Sequence, residues 1–221
     1  MIYFALEQGI SEKEEKTVIL QQVKYPDKYK VNYFRDASLV PSNYIAIGRI
    51  PWVQKILSSS PKPDYYPAFM KPYLYRKIWE ADKWPMNKGI FIKPSDIPKR
   101  FQHKVTTGTY KGKKKPPYWC SDIVSFKNEW RYYVANGKIV FVGWYAGNDE
   151  DTAPPDFPVN IIPNNWCGSI DMGILSSGEF ALVECGEPYS TGWYGTYEQG
   201  DVYVQWLIEG WKYLQKNKHK R

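Results

Sequence analysis

The stretch Ser-Ile-Asp-Met-Gly-Ile-Leu-Ser-Ser-Gly-Glu-Phe-Ala-Leu-Val-Glu-Cys-Gly-Glu-Pro, residues 169–188, decides how the rest of the chain is read. Ser176-Ser177-Gly178 is a breaker cluster between two apolar runs, Ile170 to Leu175 and Phe180 to Val183, and predicts a β-hairpin with a short loop. A turn centred on Ser177 and Gly178 sets Asp171 on the outgoing strand nearly opposite Glu184 on the returning one. Facing acids repel and destabilise a sheet, so something positive is expected between them. A hard divalent cation such as Mg2+, completing its octahedron with water and phosphate oxygens, would serve. Alternatively, both acids point to solvent at strand ends and bind nothing. The hairpin alone leaves the two readings open.

Composition narrows the chemistry. A chain of 221 residues buries a sizeable core as one or two compact domains. No apolar run approaches bilayer length, and the N-terminus shows neither a signal peptide nor an anchor, so a cytoplasmic protein without membrane contact is expected. Cys120, Cys167 and Cys185 are odd in number and lack C-x-x-C spacing, which argues against a disulfide framework or a structural zinc. With only His103 and His219, a histidine-dependent triad has little room, whereas carboxylates, lysines and a bound metal survive this cut. A net charge of +7 favours an anionic partner, a nucleotide, nucleic acid or acidic substrate. Much of that charge lies in residues 110–117 and in the tail 216–221, the latter also readable as a frayed helix end.

Outward from the hairpin, the chain opens with an apolar strand over 2–6 and a helix over 11–23, with Ser11 as N-cap and Glu14 at the capping-box position. Strands are predicted at 29–34 and 43–48, and a helix at 50–57 with Pro51 in its first turn. This is an α/β pattern. A Pro- and Ser-rich break over 58–67 precedes a predicted helix over 69–81, and a domain boundary falls near residue 85. A strand ending on Lys93 follows, then a Gly- and Lys-rich loop over 103–117 and a strand over 118–124. Asn136-Gly137 between alternating apolar runs predicts a hairpin over 129–145. A terminal helix over 201–216 carries Tyr203, Trp206, Leu207, Gly210, Trp211 and Leu214 along one core-facing stripe.

Read in order, these elements suit a phosphate-transfer site. Lys93 offers an ammonium at a strand end, and the following loop can fold amides and lysines over a polyphosphate. Glu129 can accept from a ribose hydroxyl, Arg131 can grip phosphate oxygens bidentately, and Asp171 with Glu184 can hold Mg2+. Taken singly, a Lys-Pro after a strand is usually a turn and a Glu-x-Arg on a strand is usually a solvated cross-strand pair.

The order resembles the ATP-grasp superfamily. Ile-Phe-Ile-Lys-Pro-Ser (90–95) looks like its strand carrying a nucleotide-binding lysine, residues 128–140 look like its Glu-x-Arg hairpin, and residues 170–188 look like its closing metal-binding strand pair. With Gly192 to Tyr194 after the last motif, the match is similar to a small divergent clade common in phages and bacteria. One position departs: Gly186 stands where that motif carries Asn, and Glu187 is the nearest carboxylate that could replace it.

The resemblance implies an ATP-grasp fold of mixed α/β (α+β) class, with antiparallel sheets gripping ATP. A small N-terminal α/β domain (1–85) would precede the ATP-grasp domain (86–221), itself a nucleotide-binding part (86–125) and a metal-binding part (126–221). It implies ATP and Mg2+ as cofactors. Lys93 would bind the α and β phosphates, with Lys99 a second phosphate candidate; Asp122, Ile123 and Val124 would line adenine and Glu129 would meet ribose. Arg131 would stabilise the transferring phosphoryl group, with Asp171, Glu184 and Glu187 around the metal and Arg76, on the helix before the boundary, pointing into the cleft. The implied activity is an ATP-dependent ligase that converts a carboxylate to an acylphosphate for attack by an amine or related nucleophile, neither substrate being specified. The alternatives are a phosphotransferase that stops after phosphorylation, and a nucleic-acid binding module on a decayed scaffold that uses the basic loop and tail.

Overall fold

The structure, a computed structural model, describes residues 1–10, 12–58, 62–108 and 115–217. Strand β1 (Ile2–Glu7) is apolar on both faces, and Phe4, Ala5 and Leu6 are wholly buried. It forms the centre of a three-stranded parallel sheet, flanked by β2 (Tyr29–Phe34) and β3 (Tyr44–Ile47). Two helices belong to this unit, α1 (Lys13–Lys24) and α2 (Ile50–Leu57). The expected N-cap Ser11 lies outside the described residues. The helix is capped one residue later than read: Glu12 is the N-cap, and its N–H donates to Glu15 Oε2.

The predicted helix over 69–81 does not form. Ala68–Tyr73 is a short 3-10 turn containing Pro72, whose ring removes an N–H, and the chain then extends as β4 (Ile78–Ala81). Arg76 therefore sits on a bend rather than on a helix. Strand β4 pairs with β7 (Tyr118–Asp122), which pairs with β5 (Lys88–Pro94), which pairs with β6 (Lys104–Thr107), all antiparallel. Residues 104–107, read from sequence as loop, are thus an edge strand, a place where a polar, lysine-bearing segment is at home. Strand β4 lies before residue 85 yet is hydrogen-bonded into the sheet that follows it.

The remaining sheet has the order β11-β10-β8-β9, with β8 (Phe126–Ala135), β9 (Lys138–Gly147), β10 (Gly168–Leu175) and β11 (Phe180–Gly186). Asn136 and Gly137 both have positive φ, 51° and 73°, the geometry of the tight hairpin turn read from the sequence. One face of this sheet buries Trp130, Tyr132, Ile170, Met172 and Leu182. Helix α3 (Gly200–Lys216) joins the sheet to the N-terminal unit, and the predicted stripe from Tyr203 to Leu214 is buried in one core with Phe4, Leu6 and Val53. Trp206 Nε1 donates to the Val134 and Gly168 carbonyls, at 3.1 and 3.2 Å. The three cysteines are free and buried. Among the described residues, no helix is long and apolar enough to cross a membrane.

Candidate functional site

Pairing across three strands builds the site. Arg131 on β8 lies opposite Asp171 on β10, and Asp171 lies opposite Glu184 on β11, at a register shift between Asp171 and Met172. The two acids of the hairpin do face each other, as the turn implied. What offsets them here is the protein's own charge. Arg131 Nε and Nη2 donate to the two Asp171 carboxylate oxygens, each at 2.7 Å. Lys93 Nζ, reaching across from β5 in the other sheet, donates to Glu184 Oε2 at 2.7 Å.

Burial separates the two pairs. The side chains of Arg131 and Asp171 are 11% and 3% exposed, whereas that of Glu184 is 39% exposed beside a Lys93 side chain of 7%. Burial pushes the Asp171 carboxyl above the ordinary carboxylate value, against the pull of Arg131, and Asp171 in turn raises the guanidinium against its own desolvation. For Glu184, burial works against the charged form, but Lys93 first, then Arg131 and Lys99, outweigh it and lower the pKa. Lys93 loses solvation in the same way, yet Glu184 keeps it above the ordinary lysine value. Glu129 has no such partner. Burial, reinforced by Asp171 and Glu184 and only partly opposed by Arg76, raises it to about 7.

Aromatic rings line both cations. Lys93 Nζ stands 3.6 and 4.5 Å from the ring centres of Tyr65 and Tyr66, and the Arg131 guanidinium lies 5.0 and 5.1 Å from those of Tyr145 and Tyr194. Of these four tyrosines the sequence marked only Tyr194, as part of the closing motif; it assigned Tyr65, Tyr66 and Tyr145 no place in the site. Asp64-Tyr65-Tyr66-Pro67 reads locally as a chain break, and only the fold carries its rings under Lys93. Arg76 reaches the site's edge rather than its centre, donating to the Leu182 and Val183 carbonyls of β11.

The remaining predicted residues are dispersed. Asp122 is exposed, and its carboxylate and backbone N–H pair with the backbone of Lys77 at the end of β4. Exposed Ile123 and half-buried Val124 form the passage between the two four-stranded sheets. Lys99 is exposed, holds a left-handed φ of 53°, and lines a cavity of roughly 740 Å3 that also takes in Arg131, Glu184 and Glu187. Among the described residues no three acidic, histidine or cysteine side chains converge as a metal cluster, so Glu187 does not join Asp171 and Glu184 in a three-carboxylate set. At Gly186 an added Cβ would stand 2.5 Å from Ser169 Oγ, its cross-strand neighbour. A serine hydroxyl thus occupies the space into which an Asn side chain would have to grow. Residues 109–114 of the basic loop and the tail residues 218–221 lie outside the described residues.

Two antiparallel four-stranded sheets that meet where a lysine of one reaches an Arg-Asp-Glu row on the other agree with what a family model finds: residues 73–203 match the ATP-grasp domain, R-2-K clade, family 2. The chain belongs to the ATP-grasp superfamily. Solved ATP-grasp structures share its architecture. N5-carboxyaminoimidazole synthetase from Staphylococcus aureus is similar at 9% identity and a TM-score of 0.55, over 94% of this chain and 77% of that one. N5-carboxyaminoimidazole ribonucleotide synthetase from Thermotoga maritima is similar at 13% identity and a TM-score of 0.55, over 95% and 76%. A RimK domain ATP-grasp protein from Sphaerobacter thermophilus is similar at 9% identity and a TM-score of 0.53, over 96% and 99%. At these identities the likeness is one of fold. A search of curated protein sequences returned no match. The mixed α/β class expected from the sequence is the class of this ATP-grasp fold.

Proposed function

We propose that this ATP-grasp chain is an ATP- and Mg2+-dependent ligase that joins a carboxylate to an amine or related nucleophile. The observation that carries the reading is the meeting of Lys93 with the Arg131-Asp171-Glu184 row at the junction of the two sheets. Two anion-binding cations and two cation-binding carboxylates stand together beside a large cavity, which is the equipment polyphosphate chemistry needs.

The reaction divides into two steps. A substrate carboxylate oxygen attacks the γ phosphorus of ATP, the bond from that phosphorus to the ADP oxygen breaks, and an acylphosphate forms. The nucleophile's nitrogen then attacks the acyl carbon, the carbon to phosphate-oxygen bond breaks, and the nitrogen gives up a proton. The products are an amide, ADP and phosphate. Lys93 and Arg131 neutralise phosphate oxygens, and Lys99, at the cavity rim, is free to reach a second phosphate. Among the described residues, Arg131 Nη1 makes a long 3.4 Å contact to the Gly192 carbonyl, so a phosphate oxygen can take that donor while the Asp171 bonds stay in place. Ile123 and Val124 offer backbone groups to adenine at the passage between the sheets, beside Asp122, whose own N–H is taken by the Lys77 carbonyl, and Glu129 meets ribose.

The donor set fits Mg2+ in kind: hard carboxylate oxygens from Asp171 and Glu184, paired across one ladder. Glu184 is matched by Lys93, so phosphate that draws Lys93 toward itself leaves Glu184 the charge to hold the ion, with Asp171, still paired to Arg131, beside it. When bound, Mg2+ supplies further neutralisation of polyphosphate charge.

Thermal unfolding with and without Mg-ATP tests this reading. The wild-type midpoint is expected to rise, and Lys93→Met, which keeps the apolar stem over Tyr65 and Tyr66, to abolish the rise. A wild-type chain indifferent to Mg-ATP sinks the proposal. Polynucleotide binding that is steep in salt and unchanged by Lys93→Met would replace it with the nucleic-acid module.

A further inference from the structure

Two residues of the cavity wall hold the Lys93 ammonium, and they do so in different ways. Glu184 accepts a hydrogen bond from Nζ at 2.7 Å, and the Tyr65 ring presents its face to Nζ with the ring centre at 3.6 Å. A carboxylate competes with phosphate for an ammonium. A ring face attracts the ammonium through its quadrupole and carries no net charge that would withhold it from an anion. Glu184 is also one of the two carboxylates assigned to Mg2+. When it turns to the ion, Lys93 loses that counter-charge although its side chain is only 7% exposed, and a buried charge parted from its partner is costly. The ring stays where it is.

Tyr65 is itself held at both ends. Its carbonyl accepts from the N–H of Cys185, next to Glu184 on β11, at 2.9 Å, and its hydroxyl accepts from the backbone N–H of Lys99. One residue thus touches the strand that carries Glu184, the ammonium of Lys93 and the backbone of the second phosphate candidate. Tyr66 differs from it. Its ring centre lies farther from Nζ, at 4.5 Å, and its ring packs edge-on against Trp119 at 5.3 Å within the core of the neighbouring sheet. The family match begins at residue 73, so Tyr65 stands outside the stretch that identifies the superfamily.

We infer that Tyr65 is a positioning residue for phosphate binding, its ring face keeping the Lys93 ammonium at the cavity and free for an anion once Glu184 turns to the metal. Naming that anion as the phosphates of ATP rests on the ligase reading; the hold of the ring on Lys93 does not.

The test uses the full chain with two substitutions, Tyr65→Phe and Tyr65→pentafluorophenylalanine, whose side chains share a shape while their ring faces carry opposite partial charge. Mg-ATP affinity is read by titration calorimetry, and thermal midpoints show that both variants fold. Tyr65→Phe is expected to bind within about twofold of wild type and the pentafluoro variant about fivefold more weakly than Tyr65→Phe, the worth of one contact between a cation and a ring face. A role in packing alone would leave the two variants equal, because their shapes agree. Equal affinities, or a loss already complete in Tyr65→Phe, overturn the inference and leave the ligase reading standing. A wild-type chain indifferent to Mg-ATP sinks the ligase reading, and sodium tripolyphosphate then decides the rest: tighter binding by Tyr65→Phe than by the pentafluoro variant keeps the positioning role for another anion, and equal binding or none overturns it too.

Discussion

The two four-stranded antiparallel sheets that meet at the Lys93–Glu184 pair are built very differently. The sheet β11-β10-β8-β9 buries Trp130, Tyr132, Ile170, Met172 and Leu182 on one face, and α3 ties it to the N-terminal core through Trp206. The sheet β4-β7-β5-β6 has a far smaller core, with Ile92, Tyr118 and Cys120 at its centre. One is a platform and the other a cover. Each carries one half of the charge system in a manner suited to its packing: Arg131 and Asp171 form a buried bidentate pair within the platform, while Lys93 of the cover meets a partly exposed Glu184. The difference teaches where motion is tolerated. The pair inside the platform holds its own geometry, and the pair between sheets is the one that a ligand can open.

Asp171→Ala should have the largest effect, because it leaves the Arg131 charge buried without its partner. A loss of about 4 kcal/mol is expected, read as a lower urea midpoint at unchanged slope. A loss below about 1 kcal/mol would show that the platform pair is no more critical than a surface one. Glu184→Gln should cost less, about 2 kcal/mol, because it removes the counter-charge of buried Lys93 but leaves an amide oxygen to accept from it and the rings of Tyr65 and Tyr66 against it. Its signature is local: amides of β4 to β7 should exchange faster while those of β8 and β10 keep their protection. Uniformly faster exchange would refute the division into platform and cover.

The smallest effect concerns pH. Glu129 is raised from 4.5 to about 7 in the folded chain, so between those values the folded state keeps a proton that the unfolded state has lost. Stability contributed by this group is therefore present below about pH 4.5 and falls as pH rises toward 7. Glu129→Gln should flatten that part of the profile relative to wild type. Parallel pH profiles for the two proteins would show that Glu129 is not raised by burial and by the neighbouring charges of Asp171 and Glu184.

Legibility followed the range of the determining forces. Asn136-Gly137 and Ser176-Ser177-Gly178 mark their hairpins because turn chemistry is local, and the stripe on α3 is plain because apolar period reports a buried face. The segment 69–81 misled for the opposite reason. Its apolar residues are spaced as on a helix, but Pro72 interrupts it, and a free edge of β7 captures Ile78–Ala81 as strand. Residues 104–107 looked like loop because their partner, β5, is supplied from outside the segment.

Taken alone, the amino-acid order determined the strand and helix succession over most of the chain, the facing of Asp171 and Glu184, and the constellation that marks the superfamily, all of which depend on local turns, period and motif spacing. Only tertiary structure decided what those acids do at rest. Arg131 comes to Asp171 from a neighbouring strand, and Lys93 reaches Glu184 from another sheet over the rings of Tyr65 and Tyr66. The Ser169 hydroxyl beside Gly186 follows from the same local hairpin register, whereas the Tyr145 and Tyr194 rings beside Arg131 come from outside that hairpin and no turn signal encodes the contact.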